Sequence, residues 1–139
     1  MKLINLVTFT RSNIAYNMNN ILLVFLGGGI GSIARYGIGE FVKSNYKAAF
    51  PLATLTSNVL SCIILALAVG IFSEKIGGSP ALKTFIIVGI CGGFSTFSTF
   101  SYETMELMRT GNMLIAIANI LISVTVCIAL IYFLSKQSL

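Results

Sequence analysis

The chain contains no histidine and no tryptophan, has only two prolines, and carries just 9% charged residues. Each shortage removes a class of function. Without histidine there is no imidazole to act as a general base or a metal ligand. A soluble domain carries about 25% charged residues, so this chain cannot cover a surface in water. The acids Glu40, Glu74, Glu103 and Glu106 fall at the ends of apolar runs. No nucleophile–base pair can be built around them, which argues against an enzyme. Cys62, Cys91 and Cys127 are odd in number, lie inside apolar stretches and form no Cys-x-x-Cys pair. Structural disulfides and a zinc site are therefore not expected. The net charge of +5 is scattered over loops and tails without a basic block. Nucleic acid is not an expected partner; anionic lipid headgroups are.

What fills the sequence instead is hydrophobic side chain, at 56%. Charge is absent from residues 48–73, 84–102 and 110–135, and from 12–34, where the apolar part starts at Ile21. A membrane-spanning helix needs about 20 mostly apolar residues. The pattern predicts four spans, near 21–43, 49–72, 82–108 and 112–135. The fold class is thus an all-α integral membrane protein, with a transmembrane domain over 20–139. Residues 1–19 read as a polar, mobile extension with neither an h-region nor a cleavage site. Met18 offers an alternative start.

Four spans put both termini on one side, with Lys2, Arg11, Lys75, Lys83 and Lys136. The other side holds Lys43, Lys47 and Arg109. So small a difference is a weak positive-inside signal. It is compatible with one weakly biased orientation, or with insertion both ways and an antiparallel homodimer.

The polar residues within the spans carry the functional reading. In span 1, Gly27 and Gly31, like Gly28 and Ser32, are four apart, a spacing that lets helix backbones approach closely in lipid. Gly29-x-Gly31-x-x-Ala34 superficially matches a dinucleotide-binding turn. No acid follows about 20 positions on and no strand–helix alternation surrounds it, so that reading is rejected. Arg35 lies near the end of span 1, either as an interface anchor or as a functional charge. Span 2 opens at Pro51 and lines up Thr54, Ser57, Asn58 and Ser61 as a polar stripe. The Asn58 amide offers donors and an acceptor that lipid cannot satisfy. An interhelical hydrogen bond and a wet pathway are both open to it. Span 4 carries Asn119, Ser123 and Cys127 at i, i+4 steps.

Span 3 contains GICGGFSTFSTFS, residues 89–101. Each glycine of Gly92-Gly93 costs a helix about 1 kcal/mol relative to alanine, so a helix break is expected near them. A break at bilayer depth frees main-chain carbonyls and must be covered by protein or line a cavity. Freed carbonyls suit a cation; the amides of a restarting helix suit an anion. Phe97 and Phe100, three apart, lie about 60° from each other around the helix, with Ser98 and Thr99 between them. A phenyl edge is electron-poor and a hydroxyl can donate, so both can face an anion. Packing bulk alone would explain the rings but not the interleaved hydroxyls. The inference is a path for a small anion with no fixed positive charge on its central walls, since conduction needs several weak sites.

Over roughly Ile21 to Phe133 the chain resembles the Fluc (CrcB) family of fluoride channels. GGFSTFSTF at 92–100 is the most specific segment, supported by the glycine-rich run into Arg35-Tyr36 and by Phe50-Pro51 with Thr54 and Asn58. The resemblance implies an antiparallel, dual-topology homodimer in the plasma membrane, passing fluoride passively and so lowering cytoplasmic fluoride. Pairing with a paralogous subunit is the variant of that assembly. By the same resemblance, Phe97 and Phe100 turn ring edges to fluoride, with Ser98, Thr99, Thr54, Asn58, Asn119 and Ser123 along the polar track. It also implies a structural sodium ion at the dimer centre, held by the main-chain carbonyls of Gly92 and Ser95. Glu103 and Arg35 match charged positions near the pore ends. Departures are Ser95 for a common Thr, and Ala53, Ser57 and Ser61 where Gly, Val and Gly are usual. Asn119 stands where a tyrosine is common. Two other functions compete. A small four-helix proton-coupled multidrug exporter needs a membrane-embedded acid in span 1, where only Glu40 is present. A non-conducting assembly subunit would use the polar stripes only as glue between helices.

Overall fold

The computed structural model describes residues 2–72 and 79–136, with side chains from Met18 onward except that of Ile71. Glu74 and Lys75 lie outside the described residues, as do the side chains of Lys2 and Arg11. Four stretches are long and apolar enough to cross a membrane: Met18–Asn45, Leu52–Gly70, Pro80–Arg109 and Met113–Lys136. These are the four expected spans with shifted ends.

Helix α1 (Lys2–Asn45) runs unbroken from the N-terminal extension into the first span. The sequence reads that extension as polar and mobile; its backbone is helical. No glycine or proline occurs before Gly27, so nothing in the backbone stops the helix from continuing upstream. Pro51 directly precedes α2 (Leu52–Ile71), where its missing N–H costs no helical bond. The third span is composite: α3 (Pro80–Lys83), a π-helical stretch over Thr84–Cys91, α4 (Gly92–Phe94), then α5 (Phe97–Arg109). Gly111, at φ 81°, closes α5. There the Asn112 N–H donates to the Leu107 carbonyl at 2.8 Å and the Gly111 N–H to Met108 at 3.2 Å. That pair of bonds is a Schellman cap, which needs a left-handed residue and so favours glycine. Helix α6 (Met113–Lys136) forms the fourth span.

Close approach of α1 to the third span fixes the packing. A Cβ on Gly27 would lie 2.5 Å from the Phe85 carbonyl oxygen and 2.9 Å from the Gly89 Cα. One on Gly31 would overlap the Ile90 carbonyl, and one on Gly93 the Gly28 carbonyl. The backbones therefore touch, as small-residue packing in lipid requires. Helix α2 packs along α6, and α5 packs on α6. The interior is small and polar. Ala66, Ala68, Cys91, Phe94, Leu107 and Ala116 are its buried hydrophobic side chains. Alongside them Thr54, Ser57, Ser61, Thr96, Thr104, Asn119 and Ser123 are buried polar ones. Large apolar side chains such as Phe25, Ile33 and Leu114 point outward, the arrangement a lipid solvent favours.

Candidate functional site: a broken helix with two recesses

The glycine pair stays helical, and the break comes just after it. Gly92 has φ −64° and ψ −37°. Ser95 and Thr96 then extend, at φ −74°, ψ 155° and φ −148°, ψ 113°. The reason is a partner on another helix. The Thr96 N–H, which would bond the Gly92 carbonyl in a continuous helix, donates instead to Asn58 Oδ1 at 2.8 Å. Asn58 Nδ2 reaches back toward the Thr96 carbonyl at 3.4 Å. The amide thus satisfies the backbone that the break exposes, and Gly93 serves for close packing against Gly28.

Thr96 then caps α5. Its Oγ1 accepts from the Thr99 N–H at 3.2 Å and donates to Thr99 Oγ1 at 3.0 Å, with Ser98 Oγ 3.3 Å away. Among the described residues no acceptor is found for the first-turn amides of Phe97 and Ser98. No acid lies in that turn. The start of α5 therefore presents free donors and the positive end of a helix dipole at membrane depth. The Phe97 and Phe100 rings sit there, centroids 5.8 Å apart and planes inclined by 39°. Phe97 is 79% exposed.

Two recesses flank Thr96. One, about 230 Å³, is lined by Asn58, Ser95, Thr96, Phe97, Phe100, Ser123 and by Cys62, Val124 and Cys127. The other, about 270 Å³, is lined by Arg35, Glu40, Lys43, Thr54, Thr96, Thr99 and Glu103 with their neighbours. The candidate residues thus divide into a ring-bearing half and a charged half, joined at Thr96. Ser98 is exposed and lines neither recess. Glu103 Oε2 is buried without a hydrogen-bond partner among the described residues.

Asn119 lies behind the rings instead of beside the recess. It is 1% exposed. Its Nδ2 donates to Thr104 Oγ1 at 2.8 Å, and Thr104 donates to the Phe100 carbonyl at 2.7 Å. Ser123 Oγ donates to Asn119 Oδ1 at 3.2 Å. The ladder runs from the recess wall at Ser123 to the backbone of Phe100, so Asn119 can position that ring.

The carbonyls of Gly92 and Ser95 lack a hydrogen-bond donor among the described residues, and both residues are exposed on the chain's surface. Such oxygens suit a hard cation. Two are fewer than a full coordination shell for such an ion.

The family described as CrcB-like protein, Camphor Resistance (CrcB), matches residues 22–134. The chain belongs to the CrcB family. The CrcB match starts within α1 and includes all the residues lining both recesses. A relative from Solibacter usitatus (strain Ellin6076), named fluoride-specific ion channel FluC, is 40% identical over 112 residues. That alignment covers 81% of this chain and 92% of the relative. A protein of the same name from Shewanella halifaxensis (strain HAW-EB4) is 41% identical over 117 residues, covering 83% and 92%. A third, from Flavobacterium psychrophilum (strain ATCC 49511 / DSM 21280 / CIP 103535 / JIP02/86), is 38% identical over 107 residues, covering 77% and 86%.

Sequence reasoning on this CrcB chain missed Thr96, Thr104 and Cys62, and gave Cys127 only as a member of the span 4 stripe. A signal for Thr96 was present: Thr at an N-cap three residues before another polar residue at the start of a helical run. Cys62 follows Asn58, and Cys127 follows Ser123, by one helical turn, which places each on its neighbour's face.

Proposed function

We propose that this chain is a fluoride-selective channel of the plasma membrane that lets fluoride leave the cell passively. The observation that carries the reading is the ring-bearing recess. There two phenyl rings, the free amides at the start of α5 and the Asn58 and Ser123 side chains meet at a helix break. Every group is a weak, neutral donor or an electron-poor edge. A small, strongly hydrated anion needs successive substitutes for its water, and none of these groups would hold it tightly. Chloride is larger and needs a wider cavity than a recess built for the smaller ion. Arg35 and Glu103, in the second recess, set the field where the ion meets water. The names of the relatives support the same ion.

The exposed Phe97 and the outward carbonyls of Gly92 and Ser95 support an antiparallel homodimer. A second copy would cover the ring and complete the oxygen set for a sodium ion, which supplies a fixed positive charge that holds the two surfaces together. The exporter reading finds little support, because Glu40 lies near the end of the first span, Met18–Asn45, and pairs with Lys43 at 3.9 Å. Expression in a fluoride-sensitive bacterial strain lacking its own fluoride exporter tests the proposal. Growth in millimolar fluoride is expected with the wild-type chain and not with Phe100→Ile. Equal growth of the two would contradict it.

A further inference from the structure

The ring-bearing recess contains two groups that the anion path does not use. Cys62 on α2 and Cys127 on α6 both line it, each partly exposed. Helices α2 and α6 pack against each other, and both side chains open on the same recess. The third cysteine, Cys91, is different: it is 4% exposed, lies outside this recess, and accepts a bond from the Ser61 hydroxyl on its main-chain carbonyl at 3.0 Å. Among the described residues no group of three or more His, Cys, Asp or Glu side chains could hold a metal ion. Zinc takes four ligands in structural sites, and this recess offers two sulfurs. Two sulfurs on separate helices instead match ions that accept two soft ligands. Thiolates select soft metals.

We infer that Cys62 and Cys127 form a two-thiolate binding site for a soft monovalent metal ion of the copper(I) or silver(I) class, opening into the recess beside Phe97 and Phe100. Each sulfur–metal bond forms as the thiol gives up its proton to water. One bound ion therefore displaces two protons and leaves one net negative charge. No oxidant or reductant takes part. On the channel reading proposed above, an occupied site would obstruct the recess and repel an anion, which makes the path sensitive to these metals. The site itself does not depend on that reading.

Silver nitrate is the probe, because silver(I) undergoes no redox change under the assay conditions. Purified full-length protein is loaded with silver, washed with a monothiol competitor that strips singly held ions, desalted, and assayed for silver per chain. One ion per chain is expected in wild type and in Cys91→Ala, and none in Cys62→Ser or Cys127→Ser. A measurement on wild-type protein alone guards against misfolded variants. Silver should protect Cys62 and Cys127 together from N-ethylmaleimide, read by peptide mass. Wild-type protein that binds no silver, full retention in either serine variant, or protection of only one of the two thiols would overturn the inference. Because the readouts are metal content and alkylation, the site can fail while the channel stands, or the reverse.

Discussion

Replacing Asn58 by leucine tests how the break in the third span is held. The change removes the 2.8 Å bond from the Thr96 N–H and the longer 3.4 Å contact to its carbonyl. The second is near the limit of useful geometry and contributes little. Leaving a buried N–H unpaired costs about 1–3 kcal/mol, and Thr96 is only 7% exposed. Side-chain hydrogen bonds in membrane proteins average nearer 0.6 kcal/mol, because the unfolded chain finds other partners. The expected loss of stability is therefore about 0.6–3 kcal/mol, or about threefold to a hundredfold in the folded-to-unfolded ratio. The freed N–H also has an obvious alternative, the Gly92 carbonyl. Taking it would heal the helix and swing Phe97 and Phe100 out of the recess, so transport should fall further than stability. Asn58→Asp separates the effects: it keeps the acceptor for the Thr96 N–H but loses the donor and adds a negative charge. Unfolding in denaturant, followed by helical signal, and fluoride efflux from liposomes read the two quantities. Leucine should lower both, whereas aspartate should keep most of the stability and abolish efflux. If leucine leaves both at wild-type levels, Asn58 neither holds the break nor lines the path.

Gly31→Leu forces a side chain into the backbone of Ile90 and Gly93. Overpacking costs about 1–3 kcal/mol or more, so the yield of monodisperse protein should collapse, while Gly29→Leu, with open space around it, should leave it unchanged. Asn119→Leu cuts the ladder between Ser123 and Phe100 and leaves Thr104 still bonded to the Phe100 carbonyl. Efflux should drop by less than for Phe100→Ile, and a drop as large would make Asn119 a lining residue instead of a positioning one. Exchange of sodium for N-methylglucamine during purification should weaken the dimer, read by crosslinking yield; an unchanged yield would remove the cation from the account.

Much of this was legible in the sequence, for identifiable reasons. The four spans follow from charge-free runs, because a charge inside lipid is costly enough to be visible as an absence. That Gly27 and Gly31 meet another helix at close range follows from their four-residue spacing; that the partner is the third span is seen only in the structure. The location of the break was legible only to within a few residues. Gly92-Gly93 looks like the weak point in one dimension, but the helix opens where Asn58, 38 residues away in sequence, can receive the displaced N–H. The π-helical winding of Thr84–Cys91 left no trace in the residue pattern. The resemblance put Asn119 on the polar track, at a position where a tyrosine is common; its side chain is buried and bonded to Thr104 and Ser123, which the i, i+4 spacing alone did not reveal. Spacing gives the face of a helix, but not what stands in front of that face.

The measurement that bears most directly on the central claim is fluoride efflux from liposomes holding the purified protein, read with a fluoride electrode beside chloride-loaded controls. Rapid fluoride release, no chloride release, and loss of the fluoride signal in Phe100→Ile with its fold intact is the predicted result. A well-folded protein that releases neither ion, or releases chloride as readily as fluoride, would contradict the account.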